Sequence, residues 1–433
     1  MQLQKLSEHL ALEKTVNQLG EKNQDAIRYA YGLIVETVRR KNLIDSFINS
    51  VIAPKKIDEF NLGVQSFLRL YVYQTRVARN WEKINLQEAQ HIASLGRAIL
   101  GWQTLREVEQ YLGFLLTQRL TTVLEAASDE ERVSLETFHP LWFVKYCFTL
   151  MGRNEAVAFL QGSMNPPPSY VRLNTLVATE EEILQRLDVE GVKVEKVLPL
   201  KFAYKVLETK QSMNMLPSYR EGLFYVQDKA SCFATEAADP KPDTTVYDVC
   251  SAPGAKTTYI AQLMQNEGVV YSLDFSRRRT QTWKREVTRM KTQIAEPIIA
   301  DACVQFPLAS EADLVVLDPP CSGTGIFAKQ PSAKWRITAK SLGKMAEIQW
   351  RMINSSAEKV RSGGVLTYST CSITVEENEQ IIDRFLKEHS EFRLMEIEPK
   401  IGLPGLQGLT ECRRLYPNIH QCNGFFIAKL RRH

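Results

Sequence analysis

At 433 residues and 49.4 kDa the chain is too long for one small module, and at about 150 residues per domain it predicts roughly three units. Hydrophobic residues make up 44% and charged residues 24%, a balance that buries real cores and excludes a disordered tail. The formal net charge of +4 excludes a global polycation, so affinity for nucleic acid has to come from local patches.

The opening MQLQKLSEHLALEK interrupts every apolar run with charge, which predicts neither a secretory signal nor a transit peptide. No stretch is long and apolar enough to span a bilayer, so no membrane partner is expected. The eight cysteines are scattered without close Cys or His pairing. That pattern predicts reduced thiols in a cytoplasmic protein and no metal site.

Residues 1 to about 125 carry helical periodicity, as in GVQSFLRLYVYQTRVARNWEKI, where Phe67, Leu70, Tyr71 and Gln74 run on into Val77 and Ala78. A second stretch runs from HPLWFVKYCFTLMGRNEAVAFL through the break NPPPSY into VRLNTLVATEEEILQRLDVEGVKVEKV. It reads as a strand, a helix and another strand in a small mixed domain. From about 240 short apolar strands alternate with helices: TVYDVC, VVYSLDF, EPIIAD, ADLVVLD and GVLTYST. This predicts a mostly parallel sheet covered on both faces, with GFFIAKL closing it as an edge strand. The expected boundaries are 1–130 (all-α), 131–235 (linker helices and a small α+β segment) and 236–433 (Rossmann-like α/β).

VYDVCSAPGAKTTYIAQL passes from a strand through a Gly/Pro turn directly into a helix, placing the turn where open sheets bind ligands. Gly254 lets a ligand approach the backbone, and the first helical amides can donate to it. About twenty residues on, Asp274 ends the next strand, where a carboxylate can grip ribose hydroxyls. Asp301 adds a polar group at the next strand end. Neither GxGxxG nor GxxxxGK[ST] is present, which favours an adenosine ligand lacking pyrophosphate. A ligand-free tight turn is an equal reading of geometry alone.

LVVLDPPCSGTGIF sets Asp318 and Cys321 just past an apolar strand, and GGVLTYSTCSITVEENEQII does the same with Cys371. Thr374 and Glu377 then read as a capping box opening a helix. A cysteine is by default a small buried hydrophobe, the reading given to Cys147, Cys232 and Cys303. Two thiols at strand ends beside an aspartate instead suit methylation at carbon 5 of a pyrimidine. A thiolate adding at carbon 6 makes carbon 5 nucleophilic, and an aspartate at the N3 edge supports the adduct.

The motifs YDVCSAPGAKTT, LDPPCSGTGIFAKQPSAKW and YSTCSITVEENE, preceded by PPPSYVRLNTL and VQDKAS, resemble the RNA 5-methylcytosine methyltransferases of the NOL1/NOP2/Sun family from about residue 139 to the end. LGVQSFLRLYVYQTR with LQEAQHIASLGRAILGW is similar to a NusB-type RNA-binding domain, as in the bacterial RsmB (Fmu/Sun) branch. The resemblance implies a multi-domain protein: an all-α NusB-like domain, a small α+β (RRM-like) segment and a Rossmann-like domain dependent on S-adenosylmethionine. It further implies that Cys371 is the nucleophile and Cys321 assists product release, an order that spacing does not supply. DNA cytosine methyltransferases, with their cysteine after proline, would point to Cys321. By the same resemblance Cys250, Ser251, Ala252, Pro253, Gly254, Ala255 and Lys256 hold the donor together with Asp274, Asp301 and Asp318, and Asp318 faces the base. Ala255 departs from the family's usual second glycine, with donor binding expected to survive.

The implied partner is RNA, ribosomal by the NusB-like analogy, with transfer RNA as the alternative and a non-catalytic RNA-binding assembly factor as a third reading. Helix 277–291, with seven cations against Glu286, reads as a solvated face or a phosphate contact. Arg39 to Lys41, Lys55 with Lys56, and Arg413 with Arg414 are further candidates. Trp335 and Tyr368 are candidate stacking partners for a base taken out of its stack, with core packing as the alternative. Arg172 and Asn174 have either a structural or an RNA-facing role.

Overall fold

The computed structural model describes residues 6–81, 83–304 and 306–433. The chain forms two compact units: one comprises the described residues up to Asn165 together with Phe327–Arg336, the other Pro166–Ile326 and Ile337–His433. No helix among the described residues is long and apolar enough to cross a membrane.

The first unit is helical, and its helix starts follow local chemistry. Asn23, Asn61 and Asn85 accept backbone N–H groups at three of them, and Ser128 forms a capping box with Glu131. The core is apolar, centred on Phe47, Leu68, Tyr71, Leu105 and Leu115. The helix expected to carry Val77 and Ala78 ends at Thr75. A 3₁₀ turn at Val77–Arg79 follows, and Asn80 and Trp81 then adopt positive φ, breaking the periodicity.

Helical packing also continues beyond residue 130. Leu135 joins the same core, and Asn42 donates its amide to the carbonyls of Ser134 and His139, so the helices up to Gly162 fold with this unit. The segment Phe327–Arg336 belongs here too, although 236–433 was expected to be continuous. Ser332 binds the Glu8 carboxylate, Arg39 donates to the Ala328 carbonyl and Trp335 donates its indole N–H to Val38.

In the second unit, β1 (Tyr170–Leu173), β2 (Val192–Lys196), β3 (Ala203–Thr209) and β4 (Phe224–Val226) form an antiparallel sheet ordered β2-β3-β1-β4. β3 and β4 add to the strand-helix-strand expected. Arg172 and Asn174 are fully buried. Arg172 donates to Gln227, Gln262 and Thr258, and Asn174 to the carbonyls of Gly222 and Met290, so both are structural ties to the neighbouring sheet's helices.

The large sheet contains β5 (Thr244–Val249), β6 (Gly268–Asp274), β7 (Ala295–Ile299), β8 (Ala312–Leu317), β9 (Val360–Thr370), β10 (Phe392–Leu394), β11 (Leu403–Pro404), β12 (Arg413–Leu415) and β13 (Phe425–Arg432). The order is β11-β12-β13-β9-β8-β5-β6-β7, with β10 also on β13. Strands β9, β8, β5, β6 and β7 are parallel, and the rest of the sheet is antiparallel. The GFFIAKL strand is therefore interior, because β12 and β10 pair with the side expected to be free. Helices Ala339–Ala357 and Glu379–Glu388 cover one face, while Lys229–Ala238 and Ala255–Leu263 cover the other.

Candidate active site

β5 ends at Val249, and Cys250 takes a φ of 66° as the chain turns into Ser251–Gly254 before the helix Ala255–Leu263. Gly254 has a φ of 112°, and a Cβ there would meet the Trp283 ring at 3.2 Å, so the turn requires glycine. The loop is tied to the next strand: Ser251 N–H donates to the Leu273 carbonyl, and Ala252 N–H to Asp274 at 3.2 Å. Asp274 also accepts the Ser276 N–H, and Arg279 lies 3.4 Å away. Pro253 is exposed and Ala255 half-buried, while the Cys250 thiol points toward Met352. Burial pushes that thiol well above its ordinary range, which leaves it a packing group.

Beneath the loop Asp248 is fully buried. It accepts the Thr257 hydroxyl, and its Oδ1 has no partner among the described residues. Burial lifts its carboxyl to about 6, against the Thr257 hydrogen bond.

Lys256 is buried and pairs with Asp318 at the end of β8. The Ser369 hydroxyl lies 3.4 Å from the other Asp318 oxygen, linking that carboxylate to β9. Asp301 is exposed just past β7, where it accepts the Cys303 N–H. Carboxylates thus stand at or just past the ends of β6, β7 and β8, the last separated from β6 by β5 alone. The only cation in the loop, Lys256, is already neutralised. This donor set suits ribose hydroxyls and a positively charged sulfonium rather than a pyrophosphate, so an adenosyl donor fits it.

Cys321 and Cys371 lie beyond the ends of adjacent parallel strands β8 and β9, half-buried, with their Sγ atoms 3.2 Å apart. The hydrogen bond shared with Cys371, and then burial, push the Cys321 thiol well above its ordinary range. Gly325 seats this loop: its N–H donates to the Cys371 carbonyl, and a Cβ there would lie 2.2 Å from the Gly424 carbonyl oxygen.

The structure brings Asp318, Cys321, Cys371 and the donor loop onto one rim. Other expectations change. Tyr368 is fully buried with its hydroxyl on the Glu377 carbonyl, so it packs in the core and is not placed to stack a base, while Trp335 donates its N–H to Val38 within the helical unit. Arg414 is buried against Glu379, Arg413 pairs with Glu396, Arg39 and Arg40 pair with Glu36, and Lys41 with Asp45. Arg414 is fully spent on Glu379; the other cations are ion-paired but share their carboxylates, since Arg39 and Arg40 meet one Glu36, Lys41 shares Asp45 with Arg69, and Arg413 shares Glu396 with Lys400. Lys55 and Lys56 are exposed, Lys55 facing Glu107 at 3.3 Å.

Glu377 does not cap a helix. The helix opens at Glu379, and Thr374 donates to a Glu377 carboxylate that is buried behind both cysteine loops. Ser322, Ser372 and Gln349, which meet it there, escaped the sequence reading. The one available signal was the Cys-Ser pair, which recurs at 250–251, 321–322 and 371–372.

Residues 235–431 match the family described as 16S rRNA methyltransferase RsmB/F, and residues 139–208 match the ferredoxin-like domain of RsmF/B-like methyltransferases. A Bacillus subtilis relative, "Probable ribosomal RNA small subunit methyltransferase B", is 29% identical, with 96% of this chain and 92% of that protein covered. The tRNA (cytosine(72)-C(5))-methyltransferase of Pyrococcus horikoshii is 34% identical over 56% of this chain and 59% of its own length. The crystal structure of NSun6 from Pyrococcus horikoshii with SFG, an S-adenosylmethionine analogue, superposes with a TM-score of 0.64 at 25% identity, covering 68% of this chain and 98% of that one. With its paired strand-end thiols, the chain belongs to the RNA cytosine-C5 methyltransferase family of the RsmB/F and NOL1/NOP2/Sun type, and it is an enzyme dependent on S-adenosylmethionine.

Proposed function

We propose that this enzyme methylates a cytosine of small-subunit ribosomal RNA, with Cys371 as nucleophile, Cys321 acting in product release and Asp318 facing the base. The observation that carries the reading is the pair of thiols 3.2 Å apart beside the Lys256–Asp318 ion pair, on the rim that holds the donor loop.

The Cys371 thiolate forms a bond to carbon 6 of the ring, and the electron pair of the carbon 5–carbon 6 double bond makes carbon 5 nucleophilic. Asp318, anchored by Lys256, is the group to hydrogen-bond the N3 edge. Bound S-adenosylmethionine supplies an electrophilic methyl group. Ser251–Lys256, Asp274 and Asp301 are the residues to hold it. Once carbon 5 gives up its proton to solvent, the electron pair of that bond re-forms the carbon 5–carbon 6 double bond and the Cys371 sulfur leaves with the electron pair of the carbon–sulfur bond. Cys321, with its thiol held protonated, stands next to the leaving sulfur.

Ribosomal RNA is favoured over transfer RNA by extent of likeness: the small-subunit relative matches 96% of the chain, including the helical unit, whereas the transfer RNA enzyme matches 56%. We take the helical unit as NusB-like and the four-stranded segment as RRM-like, both for RNA contact. All eight cysteines are free, which supports a reducing, cytoplasmic setting.

The exposed face of helix Arg277–Arg289 supports an RNA partner. Arg220, Lys284, Arg285, Arg289 and Lys291 line a depression of about 530 Å³, where Glu286 is taken by Arg289 and Glu221 by Arg186. Changing Lys284, Arg285 and Lys291 together to alanine is expected to weaken RNA binding for all sequences alike. The slope of log affinity against log salt should flatten by about 1 for each phosphate that is no longer neutralised. Filter binding across a salt series measures it, with donor affinity as the control that stays constant.

Incubation with methyl-labelled S-adenosylmethionine and total RNA, followed by mapping of the modified nucleotide, tests the whole proposal. Label at a cytosine of small-subunit ribosomal RNA is expected. Label confined to transfer RNA would replace the substrate, and no label in any RNA would remove the catalytic reading.

A further inference from the structure

Glu377 is 0% exposed, and no basic side chain among the described residues lies within ion-pair distance. A buried carboxylate without a cation is costly unless hydrogen bonds replace its lost hydration. Here five donors do so. Oε1 accepts the Ser322 backbone N–H at 2.7 Å and the Gln349 amide at 3.0 Å. Oε2 accepts the hydroxyls of Ser322, Ser372 at 2.6 Å and Thr374 at 2.8 Å.

The two serines directly follow the two cysteines, so one carboxylate holds both cysteine loops at the residue next to sulfur. Gln349 extends the grip by donating to the Pro320 carbonyl, on the other side of Cys321. The serine hydroxyls also meet each other at 3.2 Å, and Thr324 bridges to Ser372 at 2.9 Å. Hydrophobic packing could fill this space at lower cost. What it could not do is hold two separate loops in one mutual register.

We infer that Glu377 is the positioning residue of the catalytic pair: acting through Ser322 and Ser372, it sets the spacing of Cys321 and Cys371. It touches neither substrate nor donor. The inference rests on the reading that the two thiols act in turn, and it goes beyond that reading by naming what keeps them together in space. The negative charge of Glu377 adds to the Cys371 hydrogen bond and to burial in keeping the Cys321 proton on.

The test uses two readouts that need no turnover. Phenylarsine oxide, which bridges two thiols, reports their spacing; the pH dependence of Cys321 alkylation by iodoacetamide, read in a Cys371→Ser background, reports the charge. In Glu377→Gln a side-chain amide faces donors that need an acceptor. Arsenical affinity is expected to fall at least about tenfold, and the alkylation profile to move to lower pH.

With RNA, kcat should fall while KM for RNA stays within about threefold. Ser372→Ala, which keeps the charge, should weaken arsenical binding without moving the alkylation profile, and it remains informative if Glu377→Gln unfolds. Unchanged arsenical affinity and an unmoved profile in a folded Glu377→Gln protein would overturn the inference. Failure of RNA methylation in the wild-type enzyme, with both thiol readouts as expected, would instead count against the catalytic reading of the pair while leaving the Glu377 tie between the two loops standing.

Discussion

Cys371→Ala is expected to abolish methylation of RNA and, with it, any covalent protein–RNA complex. Carbon 5 of cytosine is too weakly nucleophilic to take a methyl group unaided, so removal of the sulfur removes the step that activates the ring. The fall in kcat should be on the order of 10⁴ or more, the scale on which loss of a nucleophile acts. Incorporation of labelled methyl into RNA measures it, and a denaturing gel shows the missing adduct. The fold should survive, because the side chain is only half-buried and alanine keeps its Cβ contacts. Donor binding, followed by calorimetry, should be unchanged, since the loop that would hold the donor lies on β5 and β6 rather than on β9. Product formation at a wild-type rate would end the assignment.

Cys321→Ala is expected to give the opposite signature. Attack at carbon 6 needs only Cys371, so the adduct forms, but its resolution lacks the neighbouring thiol. Protein should therefore accumulate as a covalent RNA complex that resists denaturant, with turnover reduced to about one event per enzyme. The 3.2 Å separation of the two sulfurs makes this a direct test of their order, because each is close enough to serve the other's bond. An adduct trapped by Cys371→Ala instead would exchange the roles and bring the chain into line with the cysteine-after-proline arrangement.

The order of the thiols was not readable from spacing, and the structure explains why. Cys321 and Cys371 occupy equivalent strand ends, each followed by serine and each near Asp318 or its Ser369 contact. Nothing in the local pattern separates them. What differs is their surroundings, and Glu377 enters those surroundings from 55 residues beyond Ser322.

Alternating apolar runs and helical stretches placed four of the parallel strands within two residues and the end of β9, whose start at Val360 lies four residues before the expected GVLTYST, because the pattern that makes a strand or a helix is short-ranged. Strand-end motifs likewise located the Ser251–Gly254 turn, Asp274, Asp318 and both thiols along the fold: a turn after an apolar strand is a local event. Charge was read less well. Arg414 looked like half of a basic pair, yet it is 1% exposed and bonded to Glu379, 35 residues away. Phe327–Arg336 looked continuous with the catalytic motif, yet the carboxylate of Glu8, 324 residues from Ser332, draws it into the helical unit. Periodicity and turn chemistry therefore decide which elements exist and where reactive residues sit along them. Burial, ion pairing and the partners of Glu377 arise only once distant segments meet, because desolvation and hydrogen bonding depend on proximity in space and leave no trace in local order.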